Sequence, residues 1–284
     1  MCPTALVTGA TGNVGRHVLA TLLLHGVSLR AGVSDLTRGR FGSGVEAVEL
    51  DFLRPETFAP AVRGVAGIFL LRPPAISRVG PTLNRLVDVA AAAGVRHIAF
   101  LSVIGAGRNP LVPHHRVERH LRRTPIAWTF LRPSFFAQNL GDACRRDIRD
   151  DGRIFLPAGD GRAAFVDARD VAEVAAQVLI DPSAHAGRAY DLTGQEPVSF
   201  FEVAELLSGA VGRRIRYQPA TLPAYAKHLR SQGLPLTQLT VQTVLHAGLR
   251  LGQAERVDPA LPQLLGRRAR TIRDYVEDHI DLWR

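Results

Sequence analysis

The stretch Thr4-Ala-Leu-Val-Thr-Gly-Ala-Thr-Gly-Asn-Val-Gly15 runs from a short apolar segment through three evenly spaced glycines into an amphipathic segment. It reads as a strand, a tight turn and a helix. Gly9 lets the chain turn as the strand ends. Gly12 has no Cβ, so a pyrophosphate can approach the backbone, and Gly15 lets the following helix lie close to the sheet. That helix, from 13 to about 25, offers unpaired N–H groups and the positive end of its dipole to phosphates. A structural tight turn would need the same glycines. Their place between an apolar strand and a helix, at the start of a chain of domain size, points to dinucleotide binding.

The pattern continues outward from this turn. Segments 28–33, 45–50, 66–71 and 97–101 read as further strands rich in β-branched and apolar residues. The clearest helix between them is 81–93, where Leu83, Leu86, Val87 and Ala90 recur at helical spacing before Gly94. Strands alternating with amphipathic helices imply an α/β fold, a Rossmann-type doubly wound parallel sheet covered on both faces. Ligands on such sheets bind at the carboxyl ends of the strands, so 8–15, 34–35, 51–52, 71–73 and 102–104 should share one rim. The expected division is a dinucleotide-binding domain over 1–152 and a substrate-binding region over 153–284, with 163–192 returning to the sheet. From Ser199 onward the pattern is a smaller, mainly helical lobe, with helices at 200–211, 222–232, 236–248 and 271–283.

Composition fits a soluble enzyme. At 284 residues the chain can bury a substantial core, and no apolar run is long enough to span a bilayer. Met1-Cys-Pro leads straight into the first strand, which argues against a cleaved leader. Cys2 and Cys144 alone imply no disulfide framework, so a cytoplasmic location is expected. The formal charge of +9 is nearly all arginine, with Lys227 the sole lysine. The arginine clusters are short and carry no interleaved aromatics, which argues against nucleic acid and for a field that draws in an anionic cofactor. The expected partner is a small-molecule substrate. Monomer and homodimer both stay open.

Several stretches together resemble the NmrA-like, NAD(P)-binding group of atypical short-chain dehydrogenases/reductases. They are Gly9-Ala-Thr-Gly-Asn-Val-Gly15, Phe100-Leu-Ser-Val-Ile-Gly105, Trp128-Thr-Phe-Leu-Arg-Pro-Ser-Phe-Phe-Ala-Gln-Asn-Leu140, Phe165-Val-Asp-Ala-Arg-Asp-Val-Ala172 and Tyr190-Asp-Leu-Thr-Gly194. Within the group, Pro157-Ala-Gly-Asp-Gly161 and the tail after Ser199 look closest to bacterial proteins resembling the festuclavine/agroclavine-type reductases. The resemblance implies that Thr11, Gly12, Asn13 and Val14 cradle the pyrophosphate, and that Asp51 and Phe52 face the adenine. It implies Leu71, Arg72 and Pro73 along the ribose and phosphate, and Ser102 and Val103 near the nicotinamide. Phe135, Phe136 and Asn139, after Arg132-Pro133, would shape the substrate pocket, one phenylalanine pointing to the core and the other to the pocket. Ser34 stands where many relatives carry arginine, and Asp35 follows it. With Arg38 and Arg40 able to reach back to a 2′-phosphate, NADP is favoured, and NAD stays open.

Catalysis departs from the common pattern of these enzymes. Their Tyr-x-x-x-Lys pair has no counterpart, because the tyrosines are Tyr190, Tyr217, Tyr225 and Tyr275 and the pair's positions fall at Pro110 and His114. His114 could bond the nicotinamide ribose and titrate near neutral pH, so His114 and Ser102 are the catalytic candidates. The competing reading of His114 is a helix-start residue facing solvent. His114 and Glu118 share a helix face, but with no third ligand in view no metal site is expected. An acceptor that needs little protonation fits best: an imine or iminium, an enone or a quinone. A dinucleotide-binding redox sensor without catalysis is the alternative.

Overall fold

The computed structural model describes residues 4–39 and 41–284. In chain order its first part contains β1 (Thr4–Thr8), α1 (Gly15–Leu24), β2 (Ser28–Val33), β3 (Val45–Glu49), α2 (Phe58–Val62), β4 (Val65–Leu71), α3 (Arg85–Ala92), β5 (His97–Leu101), α4 (Pro113–Leu121) and β6 (Ala127–Pro133). There follow α5 (Gln138–Gly141), α6 (Arg145–Asp151), β7 (Arg153–Leu156), β8 (Arg162–Ala163), α7 (Ala168–Ile180), α8 (Pro182–His185) and β9 (Arg188–Leu192). The remainder is β10 (Val198–Ser199), α9 (Phe200–Val211), β11 (Arg216–Pro219), α10 (Leu222–Ser231), α11 (Leu236–Leu249), α12 (Ala260–Leu265) and α13 (Ile272–Asp278).

Seven strands form one sheet in the order β3-β2-β1-β4-β5-β6-β9. The pairs from β3 through β6 are all parallel, with registers such as Ala5↔Leu29, Leu6↔Ile68 and Ile98↔Trp128. This is the Rossmann-type order, and its direction reverses between β1 and β4, so both strands deliver their carboxyl ends to one crevice. Leu6, Ile68, Leu70, Ile98, Phe100 and Phe130 alternate along the strands to form a core with Leu83, Leu86 and Val117. The helix expected over 81–93 opens differently. Residues Gly80–Asn84 form one wide turn, closed by Asn84 N–H donating to the Val79 carbonyl at 2.9 Å, and α3 starts after it. Pro81 has no N–H to give the regular helical ladder, which favours the wider turn.

The chain divides into two compact units, 1–133 with 168–191, and 134–167 with 192–284. The first unit therefore ends at Pro133 rather than near residue 152. The cause is packing: Ala137, Leu140, Cys144, Ile148 and Ile154 are buried with Phe165, Phe200, Leu207, Tyr225 and Trp283 in the core of the second unit. There β7 pairs with β11 and β8 with β10. Helix α9 is closed by a capping box, with Ser199 Oγ accepting from Glu202 N–H while Glu202 accepts from Ser199 N–H. Among the described residues no helix is long and apolar enough to cross a membrane.

Candidate active site

The glycine turn is built as a cradle. Gly9 has φ +61° and its carbonyl accepts from Gly12 N–H at 2.9 Å. A Cβ on Gly15 would stand 2.2 Å from the Gly9 carbonyl oxygen, so no side chain fits there. At Gly12 the only neighbour would be that same oxygen at 3.2 Å, and beyond it lies open space. Thr11 and Gly12 are exposed, and α1 begins at Gly15 behind them. An open backbone at a helix N-terminus is the donor set a pyrophosphate requires, so residues 9–15 fit a dinucleotide.

Around the rim the sequence candidates separate. Asp35 is committed to its own loop: its Oδ1 accepts from Thr37 N–H at 2.9 Å and from Thr37 Oγ1 at 2.6 Å. Ser34 beside it is exposed. The side chain of Arg38, and Arg40, lie outside the described residues. Asp51 closes the turn after β3, accepting from Leu53 N–H at 2.9 Å. Phe52 is placed otherwise than expected: its ring is buried in the core, edge-on to Phe58 with centroids 6.4 Å apart. The adenine-facing role therefore loses Phe52, because its ring packs into the core with Phe58. Leu71 braces the glycine turn, its N–H donating to Thr8 Oγ1 at 3.0 Å and its side chain lying against Gly9. Pro73 follows and its carbonyl accepts from the Arg72 guanidinium at 3.1 Å.

At the end of β5, Ser102 is buried and its Oγ donates to Glu118 Oε1 at 2.7 Å. Glu118, on the buried face of α4, also accepts from Arg132 Nε at 2.9 Å, Arg132 Nη2 at 2.7 Å and Arg122 Nη2 at 3.2 Å. The Ser102 proton is thus directed into the protein rather than outward. Paired with Glu118, the Arg132 guanidinium is held above its ordinary pKa, with Asp191 at 3.8 Å adding to this. Arg122 lies over the rings of Trp128 and Phe130, at 5.2 and 4.8 Å. The sequence pattern alone does not reveal this Ser102–Glu118–Arg132 network. The available signal was a carboxylate four residues after His114 on a helix face that must be buried.

His114 corrects an expectation. It is neither solvent-facing nor poised near neutrality. Burial, with the Arg72 charge adding to it, pushes its pKa down to about 3. Its Nε2 accepts from Arg72 Nε at 3.3 Å, which leaves the ring proton on Nδ1, buried and without a partner. A neutral imidazole of that tautomer is a poor acid at pH 7. Among the described residues no group of three acidic, histidine or cysteine side chains could hold a metal ion.

In the second unit the segment after β6 is fixed by its backbone: Ser134 N–H donates to the Leu192 carbonyl at 2.9 Å and Val166 N–H to the Phe135 carbonyl at 2.9 Å. Phe135 belongs to that unit's core, edge-on to Phe165 at 5.5 Å and Phe200 at 5.8 Å, with His246 at 5.8 Å. Its ring is half-buried against this cluster. Phe136 is half-buried and outside this ring cluster, and half-buried Asn139 donates its N–H to the Phe136 carbonyl at 3.2 Å.

Comparison with known proteins agrees with this geometry. The NmrA-like family model matches residues 2–257. The NAD(P)H azoreductase of Xenophilus azovorans is 32% identical over 280 residues, covering 96% of this chain and 97% of that protein. The agroclavine dehydrogenase of Claviceps fusiformis is 27% identical over 295 residues, covering 99% of this chain and 98% of that protein. The solved structure of the NADPH-dependent quinone oxidoreductase of Escherichia coli in complex with NADPH superposes with a TM-score of 0.85 at 25% identity, covering 97% of this chain and 99% of that one. With a Rossmann-type sheet, a glycine turn open enough for a dinucleotide and a match over most of its length, the chain belongs to the NmrA-like family.

Proposed function

We propose that this chain is an NAD(P)H-dependent reductase that delivers hydride to an activated acceptor without a protein side chain protonating it. The observation that carries this reading is the commitment of both catalytic candidates to other partners: Ser102 donates to Glu118, and His114 is held neutral against Arg72. The bound cofactor would supply a hydride from its reduced nicotinamide. Gly9, Thr11, Gly12, Asn13 and Val14 would hold its pyrophosphate, Leu71, Arg72 and Pro73 would line its ribose, and the backbone around Ser102 would place the nicotinamide. Ser102 and His114 then act as positioning residues. Glu118 fixes the first and Arg72 the second, which keeps the carboxyl end of β5 rigid and leaves protonation of the reduced acceptor to water.

NADP is the cofactor of this reading, with NAD the competitor. It is supported by the NADPH complex of the quinone oxidoreductase and by exposed Ser34, a hydroxyl that can bond a 2′-phosphate. Asp35 bonds Thr37, which ties an acid that could otherwise repel that phosphate to its own loop. Phe136 and Asn139 are the acceptor-contacting candidates, with half-buried Phe135 packed against Phe165 and Phe200 beside them in the chain. The acceptor class is a quinone, azo compound, enone or imine; azo compounds and quinones are the substrates that two of the relatives are named for. A cytoplasmic location belongs to the same reading, supported by the buried free thiol of Cys144.

The test is NADPH oxidation with a panel of quinones, azo dyes, cyclic imines, enones and simple ketones, using cofactor deuterated at C4. Label retained on carbon of the reduced imine or enone, a rate slowed by the deuterium with quinones and azo dyes, whose O–D and N–D products exchange with water, and simple ketones inert are the expected results. Efficient turnover of simple ketones would show a proton donor that this reading denies.

A further inference from the structure

Arg72 leaves β4 with a charge that no acid balances. Its Nη1 donates to the carbonyls of Pro73 at 3.1 Å, Pro74 at 3.2 Å and Ile76 at 2.6 Å, and its Nε donates to His114 Nε2 at 3.3 Å. All four acceptors are neutral. Among the described residues no carboxylate pairs with this guanidinium, and burial alone lowers its pKa. A cation stripped of part of its water and given only neutral acceptors still attracts negative charge, because its desolvation has not been offset by a counter-ion. With Nε and Nη1 occupied, Nη2 is the edge left for a ligand.

Its direction is fixed too. Leu71, one residue earlier, faces the glycine turn through Thr8 and Gly9. Arg72 reaches the opposite way, to the start of α4, the helix that follows β5 and Ser102. The His114 ring sits 6.0 Å from Phe100, and its buried Nδ1–H bonds nothing, so the imidazole's one polar contact is the aiming of Arg72. The glycine turn has its own helix terminus for phosphates. The Arg72 charge therefore lies on the nicotinamide side of the rim.

We propose that Arg72 stabilises the negative charge that develops on the acceptor, so that the enzyme prefers neutral acceptors that become anions, such as quinones and azo compounds, over cationic iminium ions. The inference rests on the reductase reading above. In the step, hydride and its electron pair form a new bond to the acceptor while the acceptor's π pair moves to its oxygen or nitrogen. NADPH becomes NADP+, and the resulting anion takes its proton from water, Arg72 keeping its own. The guanidinium lowers the energy of that anion in a site with little competing water. For an iminium the same hydride cancels a positive charge, and the nearby cation opposes the approach of the substrate. This places iminium ions below quinones, the reverse of the order suggested by the missing Tyr–Lys pair alone.

The experiment pairs 1,4-naphthoquinone with N-methyl-3,4-dihydroisoquinolinium as acceptors for wild type, Arg72→Gln and Arg72→Lys. It adds binding of 4-nitrophenol to the protein with NADP+, read by the phenolate absorbance. Wild type should favour the quinone and bind nitrophenol as phenolate below its solution pKa. Arg72→Gln should lose the phenolate shift and about 10²-fold in kcat on the quinone. At saturating NADPH it should hold or gain on the iminium, and Arg72→Lys should fall between. Equal losses on both acceptors or an unaltered phenolate shift would overturn the proposal. So would a wild-type preference for the iminium, which needs no variant to fold. No NADPH oxidation by wild type with either acceptor would overturn the reductase reading itself.

Discussion

Replacing Glu118 with alanine should cost the first unit about 4 kcal/mol of stability, an expectation built from four hydrogen bonds to one carboxylate. Glu118 is fully buried and accepts from Ser102 Oγ, from Arg132 twice and from Arg122. Removing one partner of a buried pair costs about 3–5 kcal/mol, because the other charge stays buried and unpaired. The orphaned Ser102 hydroxyl adds about 1 kcal/mol. Two features pull the total down: Asp191 stands 3.8 Å from Arg132 Nη1 and can take part of the charge, and the Arg122 side chain is 38% exposed and adds little. Glu118→Gln keeps the volume and one acceptor oxygen but no charge, and should lose roughly half as much. Urea unfolding followed by fluorescence of Trp128, the tryptophan in β6 of the first unit, measures both. At a slope of roughly 2–3 kcal/mol per molar, the alanine variant's midpoint should fall by about 1.5–2 M. A loss below about 1 kcal/mol for alanine, or glutamine as damaging as alanine, would show that the carboxylate's charge does not hold β5, α4 and β6 together.

Two further outcomes follow from the same geometry. Burial holds His97, with His185 nearby adding to the effect, and His246 neutral down to about pH 4, and His114 down to about pH 3. Each takes up its proton near pH 6.5 when unfolded, so their stabilising contribution is complete above that pH and lost as pH falls toward 4. Three extra protons on the unfolded chain give a slope of roughly 4 kcal/mol per pH unit near pH 5. Urea midpoints across pH 7.5–4.5 measure it; His97→Gln should flatten the slope by about a third, and a midpoint constant from pH 7 to 5 would refute the assignment. Gly12→Val should abolish NADPH binding in a calorimetric titration with the thermal transition unchanged, since a side chain there enters open space beside the turn rather than the core. Retained affinity would show that no phosphate approaches Gly12.

Local pattern carried the first unit far into its geometry. Strands Ser28–Val33 and His97–Leu101 stand at the residues where β-branched and apolar alternation placed them, and the glycine spacing announced the turn at Gly9. Helix Phe200–Val211 likewise stands at the residues where the sequence pattern placed it. Phe52 was unreadable, because whether a ring at a strand end faces a ligand or a core void depends on a partner such as Phe58. Phe135 was settled the same way, by Phe165 and Phe200, which lie far along the chain. His114 shows the limit most sharply. Its spacing from Glu118 and its match to the lysine position were visible, but its burial and its bond to Arg72, 42 residues earlier, arise only when β4 and α4 are brought together. The end of the first unit at Pro133 was hidden for a related reason: the residues after it resemble ordinary helix, and only their common burial with the C-terminal part assigns them.

In the proposed mechanism hydride reaches an activated acceptor while no side chain of the protein gives it a proton. Its most direct measurement is turnover of the best acceptor from the panel with C4-deuterated NADPH, run in H2O and in D2O. The expected result in single turnover is a rate slowed by the cofactor deuterium and insensitive to the solvent isotope. A rate unchanged by the cofactor deuterium, or one that falls markedly in D2O and loses that sensitivity in a His114→Ala or Ser102→Ala variant, would contradict it.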